Sequence, residues 1–161
     1  MSEVWSEIMD TNKKTITTSK ENNTHISIAI VVADFNEEIT REMVKVAEKR
    51  AKEKNIHIAQ IVHVPGVFDM PLAVKKLLQK ENIQGIVTLG VVISGGTSHD
   101  AHVADNAARQ ISNLTLEYEK PVALSIIGHN VSNQQAIERY ESYAKHGVDA
   151  VVELIETLNK I

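Results

Sequence analysis

The chain alternates between short, nearly continuous apolar runs and longer segments in which apolar residues recur every three or four positions. The apolar runs are rich in isoleucine and valine and predict four β-strands: residues 26–33, 56–64, the run after Gln84, and 121–127. A helical pattern follows each strand, and the predicted helices begin near Asn36, Pro71, Thr97 or Ser98, and Ser132 or Asn133. The second helix should end near Asn82. A break at His146 and Gly147 predicts that the fourth helix ends near residue 145 and that another follows.

Strands that alternate with helices predict a parallel sheet, because parallel strands need crossover connections. The expected fold is α/β, a three-layer α/β/α sandwich of the flavodoxin-like type around a four-stranded parallel sheet. Residues 25–161 would form this single domain. Residues 1–24 are polar and lack periodicity, apart from one apolar turn that contains the only tryptophan, and they predict an N-terminal arm.

Composition narrows the class of protein. The chain has 161 residues, of which 43% are hydrophobic and 24% charged, as expected for one globular domain with a real core. A net charge of −4 argues against nucleic-acid binding, and the absence of cysteine excludes disulfides and thiolate metal sites. No apolar stretch is long enough to span a bilayer and no secretory signal is evident, so we expect a cytoplasmic protein without membrane partners.

The segment between the third strand and its helix contains two adjacent glycines, Gly95 and Gly96, followed by Thr97 and Ser98. Backbone N–H groups in the first turn of a helix lack intrahelical partners and carry partial positive charge, and glycines let a ligand come close. A strand, a glycine turn and a helix in this order favour an anion-binding site, although the same order also occurs without a ligand. His99 would lie beside this site, where an imidazole suits proton transfer near neutral pH.

Ligands of parallel sheets bind beyond the carboxyl ends of the strands. The predicted ends bring four loops to one edge: residues 34–36, 65–69, 91–97 and 127–130. The only two phenylalanines of the protein, Phe35 and Phe68, lie in these loops. Their rings could stack on a planar ligand or simply fill the core, and spacing alone favours the core slightly.

Two histidines, His99 and His102, lie three residues apart on one predicted helix, a spacing that metal ligands use. No third ligand is evident nearby, so we do not expect a metal site. For His99 the residue pattern leaves an acid/base role and an ordinary surface histidine as the open alternatives.

Four motifs in register resemble 6,7-dimethyl-8-ribityllumazine synthases across about residues 25–160, and they occur at residues 33–36, 64–73, 89–100 and 136–139. The resemblance implies a flavodoxin-like enzyme of riboflavin biosynthesis, a transferase without cofactor or metal. Such an enzyme condenses 5-amino-6-(D-ribitylamino)uracil with 3,4-dihydroxy-2-butanone 4-phosphate to 6,7-dimethyl-8-ribityllumazine and releases phosphate. It also implies a homo-oligomer, either a pentamer or a shell of pentamers.

The same resemblance assigns roles to individual residues. His99 would be the catalytic acid/base, and Gly96, Thr97 and Arg139 would bind phosphate. The pyrimidine and its ribityl chain would contact Phe35, Val67, Phe68, Asp69, Val91, Val92, Ile93 and Leu124. Phe35 would stack on the pyrimidine and Asp69 would accept hydrogen bonds from ribityl hydroxyls. Leu124 and Arg139 would come from the neighbouring subunit.

Three positions depart from the pattern of many family members. Leu124 replaces a phenylalanine, Ser94 replaces a basic residue, and Tyr143 replaces a lysine one turn after Arg139, with Lys145 nearby. These changes bear on the charge around phosphate. Three other functions remain alternatives: a flavin- or nucleotide-binding flavodoxin-like module, a riboflavin synthase of the same fold, and a shell-forming scaffold with a vestigial site.

Overall fold

The computed structural model describes residues 25–161, and the predicted arm of residues 1–24 lies outside the described residues. Strands and helices alternate: β1 (Ser27–Ala33), α1 (Glu37–Glu53), β2 (His57–Val64), α2 (Met70–Leu78), β3 (Gly85–Val91), α3 (His99–Tyr118), β4 (Val122–Ile127) and α4 (Asn133–Leu158). A short 3-10 helix at Val67–Asp69 precedes α2.

The four strands form one parallel sheet in the order β2-β1-β3-β4. The central strands β1 and β3 are almost entirely buried, whereas the edge strands β2 and β4 are half-buried. Buried parallel strands need apolar side chains on both faces, which explains the nearly continuous apolar runs. The predicted parallel α/β fold is confirmed.

Helices cover both faces of the sheet and divide the core in two. Ile28, Ile30 and Val32 of β1 pack towards α1 and α4. The alternate residues Ala29 and Val31 pack towards α2 and α3, because successive side chains of a strand point to opposite faces. The result is the predicted three-layer sandwich.

The predicted break at His146 and Gly147 is wrong, since α4 runs without interruption from Asn133 to Leu158. Gly147 is buried against the sheet, and a methyl group there would overlap the hydroxyl of Ser125 on β4. The glycine therefore allows helix and sheet to approach closely and does not end the helix. The start of α4 agrees with prediction, because Ser132 and Gln135 form a capping box.

Helix α2 ends at Leu78, earlier than the predicted Asn82. The ammonium group of Lys120 donates hydrogen bonds to the carbonyls of Leu78 and Lys80, both at 2.9 Å. A cation at a helix C-terminus satisfies carbonyls that have no partner within the helix. The end of α2 is thus stabilised by a residue that is 42 positions away in sequence.

Candidate active site

A cavity of about 370 Å³ lies at the carboxyl ends of β1, β2 and β3, beside the start of α3. Its wall is mostly apolar with a few polar groups, as is typical of small-molecule sites. Its lining residues are Phe35, Gly66, Val67, Phe68, Val91, Val92, Ile93, Gly95, Thr97, His99, Asp100 and Val103. This is the edge at which ligands of parallel sheets bind.

The cavity brings together most of the residues expected at the pyrimidine: Phe35, Val67, Phe68, Val91, Val92 and Ile93. The exposed fractions of Phe35 and Phe68 are 72% and 60%. The interpretation that these rings fill the core is therefore wrong. Both rings are free to contact a ligand.

Helix α1 begins just after Asn36, as predicted, but the Asn36 side chain does not cap it. The Asn36 backbone is left-handed, with φ 62°, and its side chain makes no capping hydrogen bond. The amide instead donates to the carbonyl oxygen of Val91 at 3.0 Å. Asn36 therefore connects the loop after β1 to the end of β3, two parts of the cavity wall.

Asp69 does not line the cavity but shapes the loop that does. One carboxylate oxygen accepts a hydrogen bond from the backbone N–H of Gly66 at 3.0 Å, and the N–H of Asp69 donates to the Gly66 carbonyl at the same distance. These two bonds close the turn that presents Val67 and Phe68 to the cavity. A carboxylate accepts several hydrogen bonds, so Asp69 retains acceptor capacity for a ligand.

The glycine turn leads directly into α3. Gly95, Thr97 and His99 line the cavity, whereas Gly96 is exposed and lies outside its lining. Neither glycine has positive φ, and a methyl group at either would meet no atom within 4 Å. Ser98 is the N-cap of α3 but makes no side-chain capping bond, and only a long 3.4 Å contact joins the N–H of His99 to the Thr97 hydroxyl. The start of α3 therefore retains donors for an anion.

Four lining residues were not among the predicted site residues: the glycines Gly66 and Gly95, and Asp100 and Val103. Val103 follows His99 by four positions on α3, so helical spacing could have identified it. A carboxylate oxygen of Asp100 lies 3.4 Å from the backbone nitrogen of Asn130. This contact links the first turn of α3 to the loop after β4, a relationship that no local pattern indicates.

Leu124 and Arg139 lie elsewhere on the chain. Leu124, on the edge strand β4, is 48% exposed and lines a separate groove of about 310 Å³ together with Tyr143 and His146 of α4. Arg139 is exposed on α4 and donates to the carbonyl of Gln135 at 3.0 Å. Lys145 lines a third groove, next to α1. The cavity lining of the described chain therefore contains no lysine or arginine.

Two further properties concern residues 25–161 only. No three histidine, aspartate or glutamate side chains in this range lie close enough together to hold a metal ion. None of its helices combines the length and apolar character needed to cross a membrane.

Fold and cavity together define an α/β three-layer protein with a mostly apolar cavity at the carboxyl edge of a parallel sheet, where the imidazole of His99 lies at a helix N-terminus. The sequence profile of the 6,7-dimethyl-8-ribityllumazine synthase family matches residues 25–161. The chain belongs to this family, as the four motifs predicted.

Individual relatives support the same conclusion. A 6,7-dimethyl-8-ribityllumazine synthase of Saccharolobus islandicus is 48% identical over 136 residues, which cover 84% of this chain and 88% of the relative. A protein of the same name from Methanobrevibacter smithii is 48% identical over 135 residues, covering 84% of this chain and 97% of the relative. The Sulfolobus acidocaldarius protein of that name is 43% identical over 141 residues, covering 88% and 89%.

Proposed function

We propose that this protein condenses 5-amino-6-(D-ribitylamino)uracil with 3,4-dihydroxy-2-butanone 4-phosphate to form 6,7-dimethyl-8-ribityllumazine, with release of phosphate and water. One observation carries the proposal: in a member of this family, a single cavity contains an exposed aromatic ring, an apolar slot, a helix N-terminus and His99. These are the groups that a flat pyrimidine, an anionic phosphate and a proton transfer each require.

The two ends of the cavity suggest how the substrates bind. Phe35 would stack on the pyrimidine, and the segments Val67–Asp69 and Val91–Ile93 would enclose its ring and ribityl chain. Gly96, Thr97 and the first N–H groups of α3 would hold the phosphate. The open space beside Gly96 supports this assignment, because it leaves room for an oxyanion against the backbone.

His99 would transfer protons while the pyrimidine amine attacks the ketone and while phosphate departs. It lies within the cavity and at the start of the helix that would bind phosphate, so one group can serve both steps. A well-placed acid/base contributes roughly 10²–10⁴ to the rate. Loss of this group should therefore slow turnover without abolishing substrate binding.

A phosphate dianion held only by backbone donors lacks a compensating cation, and the cavity of one chain has no lysine or arginine. We infer that Arg139 and Leu124 of a neighbouring copy complete the site, in a pentamer or a shell of pentamers. Support comes from their exposed positions on α4 and β4, away from the cavity of their own chain. The charged phosphate substrate does not cross membranes unaided, which favours the cytoplasm as the place of action.

A direct assay tests the reaction. The purified full chain is mixed with both substrates, and lumazine absorbance and inorganic phosphate are followed in parallel. We expect equal amounts of the two products and a loss of about 10²-fold or more in kcat for His99→Asn. A matched control is His57→Asn on β2, at the opposite end of the sheet, which should leave kcat unchanged. Phosphate release without lumazine, or no reaction, would contradict the proposal.

A further inference from the structure

Phe35 is both part of the cavity wall and largely exposed. Its ring lines the cavity, yet 72% of its surface is exposed, so few neighbours pack against it. A side chain without close packing is not held by its surroundings, and precise sites depend on such support. The position of the ring must therefore depend mainly on how its backbone is held.

The residues on either side of Phe35 each bond to a different strand. Asp34 accepts a hydrogen bond from Nδ1 of His63, on the adjacent strand β2, at 2.7 Å. Asn36 donates to the Val91 carbonyl at the end of β3, at 3.0 Å. We call residues 34–36 the Phe35 loop, and its two side-chain bonds extend in opposite directions across the sheet.

Backbone bonds reinforce the β2 side of the Phe35 loop. The N–H of Asp34 donates to the Val64 carbonyl at 2.8 Å, and the N–H of Phe35 donates to the Pro65 carbonyl at 3.0 Å. Pro65 begins the loop that carries the other exposed ring, Phe68. The His63–Asp34 bond therefore lies where the two aromatic loops are joined.

We propose that His63 and Asp34, together with Asn36, are positioning residues that hold the Phe35 ring for stacking on the pyrimidine. The inference rests on the function proposed above and assigns it residues that touch neither substrate. His63 and Asp34 are both more than half exposed, so their bond should have a small effect on stability. Its effect should instead appear as affinity for the planar substrate.

The test compares variants of the full chain by steady-state kinetics and by calorimetric binding of the ribitylaminopyrimidine alone. His63→Ala should raise the KM and Kd for the pyrimidine about two- to five-fold, and leave kcat and the KM for the butanone phosphate within two-fold. Asn36→Gly removes the amide but suits the left-handed backbone, and should raise the same constants about five- to tenfold. The control His57→Ala, an exposed histidine at the other end of β2, should change none of them.

A second comparison separates positioning from general structural support. In a Phe35→Ala background, His63→Ala should have no further effect on pyrimidine affinity, because the ring it holds is gone. His63→Asn, whose side-chain amide can take the place of Nδ1 and donate to Asp34, should recover at least half of the lost affinity. The thermal midpoint of His63→Ala should stay close to that of the parent protein.

Three results would overturn the inference: unchanged pyrimidine constants in His63→Ala, equal increases in both KM values, or additive effects of His63→Ala and Phe35→Ala. Failure of the parent protein to form lumazine would instead overturn the proposed reaction. In that case calorimetry still tests positioning. The role of the Phe35 loop is rejected if the parent protein and His63→Ala bind the pyrimidine equally well, or if neither binds it.

Discussion

Arg50 and Asp149 join α1 to α4 through a two-point ion pair. Nε of Arg50 lies 2.6 Å from one carboxylate oxygen of Asp149, and Nη2 lies 3.1 Å from the other. The two side chains are 25% and 30% exposed, so solvent screens them only in part. Their separation of 99 residues makes this pair a link between distant parts of the chain.

The pair predicts a defined pH dependence of stability. Burial raises the pKa of Asp149, but the hydrogen bond and charge of Arg50, with Lys54 and Lys145, outweigh it and lower the pKa below its ordinary value. A lowered folded-state pKa gives stability that is fully present above the unfolded value of about 3.9 and is lost as pH falls through the folded one.

Asp149→Asn should therefore lower the free energy of unfolding by about 1 kcal/mol at pH 7. The difference from the parent protein should shrink as pH falls from about 4 through the lowered folded-state pKa, and it should vanish only below that pKa, where Asp149 is protonated in both states. Urea unfolding at a series of pH values measures this. As a control, Glu42→Gln removes an exposed pair with Lys45 and should leave the unfolding midpoint unchanged. A difference that stays constant down to pH 3 would contradict the ion-pair explanation.

Gly147→Ala tests the close approach of α4 to the sheet. Helix propensity alone predicts a gain of about 1 kcal/mol in stability. We expect instead a loss of about 1–3 kcal/mol, because the new methyl group would overlap the Ser125 hydroxyl and come within 3.0 Å of Val87. Adding Ser125→Ala should restore part of the loss. A more stable Gly147→Ala protein would show that the helix can move away at little cost.

Gly96→Ala separates a requirement of ligand binding from a requirement of folding. The site is open and the backbone lacks positive φ, so stability should be unchanged or rise by about 0.4–1 kcal/mol. The KM for the butanone phosphate should rise several-fold while the KM for the pyrimidine stays the same. Gly128→Ala is the contrasting variant, since φ is 105° there and a methyl group would overlap the Val92 carbonyl. It should be clearly destabilised. An unchanged KM for the butanone phosphate in a stable Gly96→Ala protein would reject the phosphate role.

Arg139→Ala should raise the KM for the butanone phosphate far more than that for the pyrimidine, because the proposed partner of the guanidinium is the phosphate. Its fold should be unaffected, since among residues 25–161 this side chain donates only to the carbonyl of Gln135 on the same helix. Steady-state kinetics with each substrate varied in turn measures the difference. Equal effects on both substrates would contradict the phosphate role.

Mixing two impaired variants, assayed at butanone phosphate concentrations well below the KM of Arg139→Ala, tests whether Arg139 acts in a neighbouring site. Arg139→Ala and His99→Asn chains are unfolded and then refolded together. If assembly is random, about a quarter of the sites combine the intact His99 of an Arg139→Ala chain with the intact Arg139 of a His99→Asn chain. Activity should then return to about that fraction. No recovery, although the mixed chains assemble, would mean that both residues must come from one chain.

Local sequence patterns were sufficient to predict the three layers of the fold. The strands could be predicted because buried parallel strands need apolar residues on both faces, and the edge holding Phe35, Thr97 and His99 follows from strand direction alone. These residues are far apart in sequence, yet the cavity contains all three.

What the sequence did not reveal depends on contacts between distant segments. The amide of Asn36 could cap its own helix, but it donates to Val91 on another strand. The sequence pattern predicted a helix break at Gly147. The actual reason for the glycine is its closeness to Ser125, which lies on β4 and is not near it in the sequence. Lys120, which follows α3 in the chain, donates to the Leu78 carbonyl at the end of α2. The two residues are 42 positions apart, so no short stretch of sequence contains both.

The sheet separates two hydrophobic cores, and they contribute unequally to the cavity wall. The cavity opens on the side of α2 and α3, where Val67 and Val92 belong both to its wall and to the packed interior. The buried face of α1 and α4, around Met43 and Val148, belongs to the other core, which includes only two of the lining residues, Val91 and Ile93. Engineering for heat resistance should therefore begin in the α1/α4 layer, where substitutions can tighten the protein with little penalty in turnover.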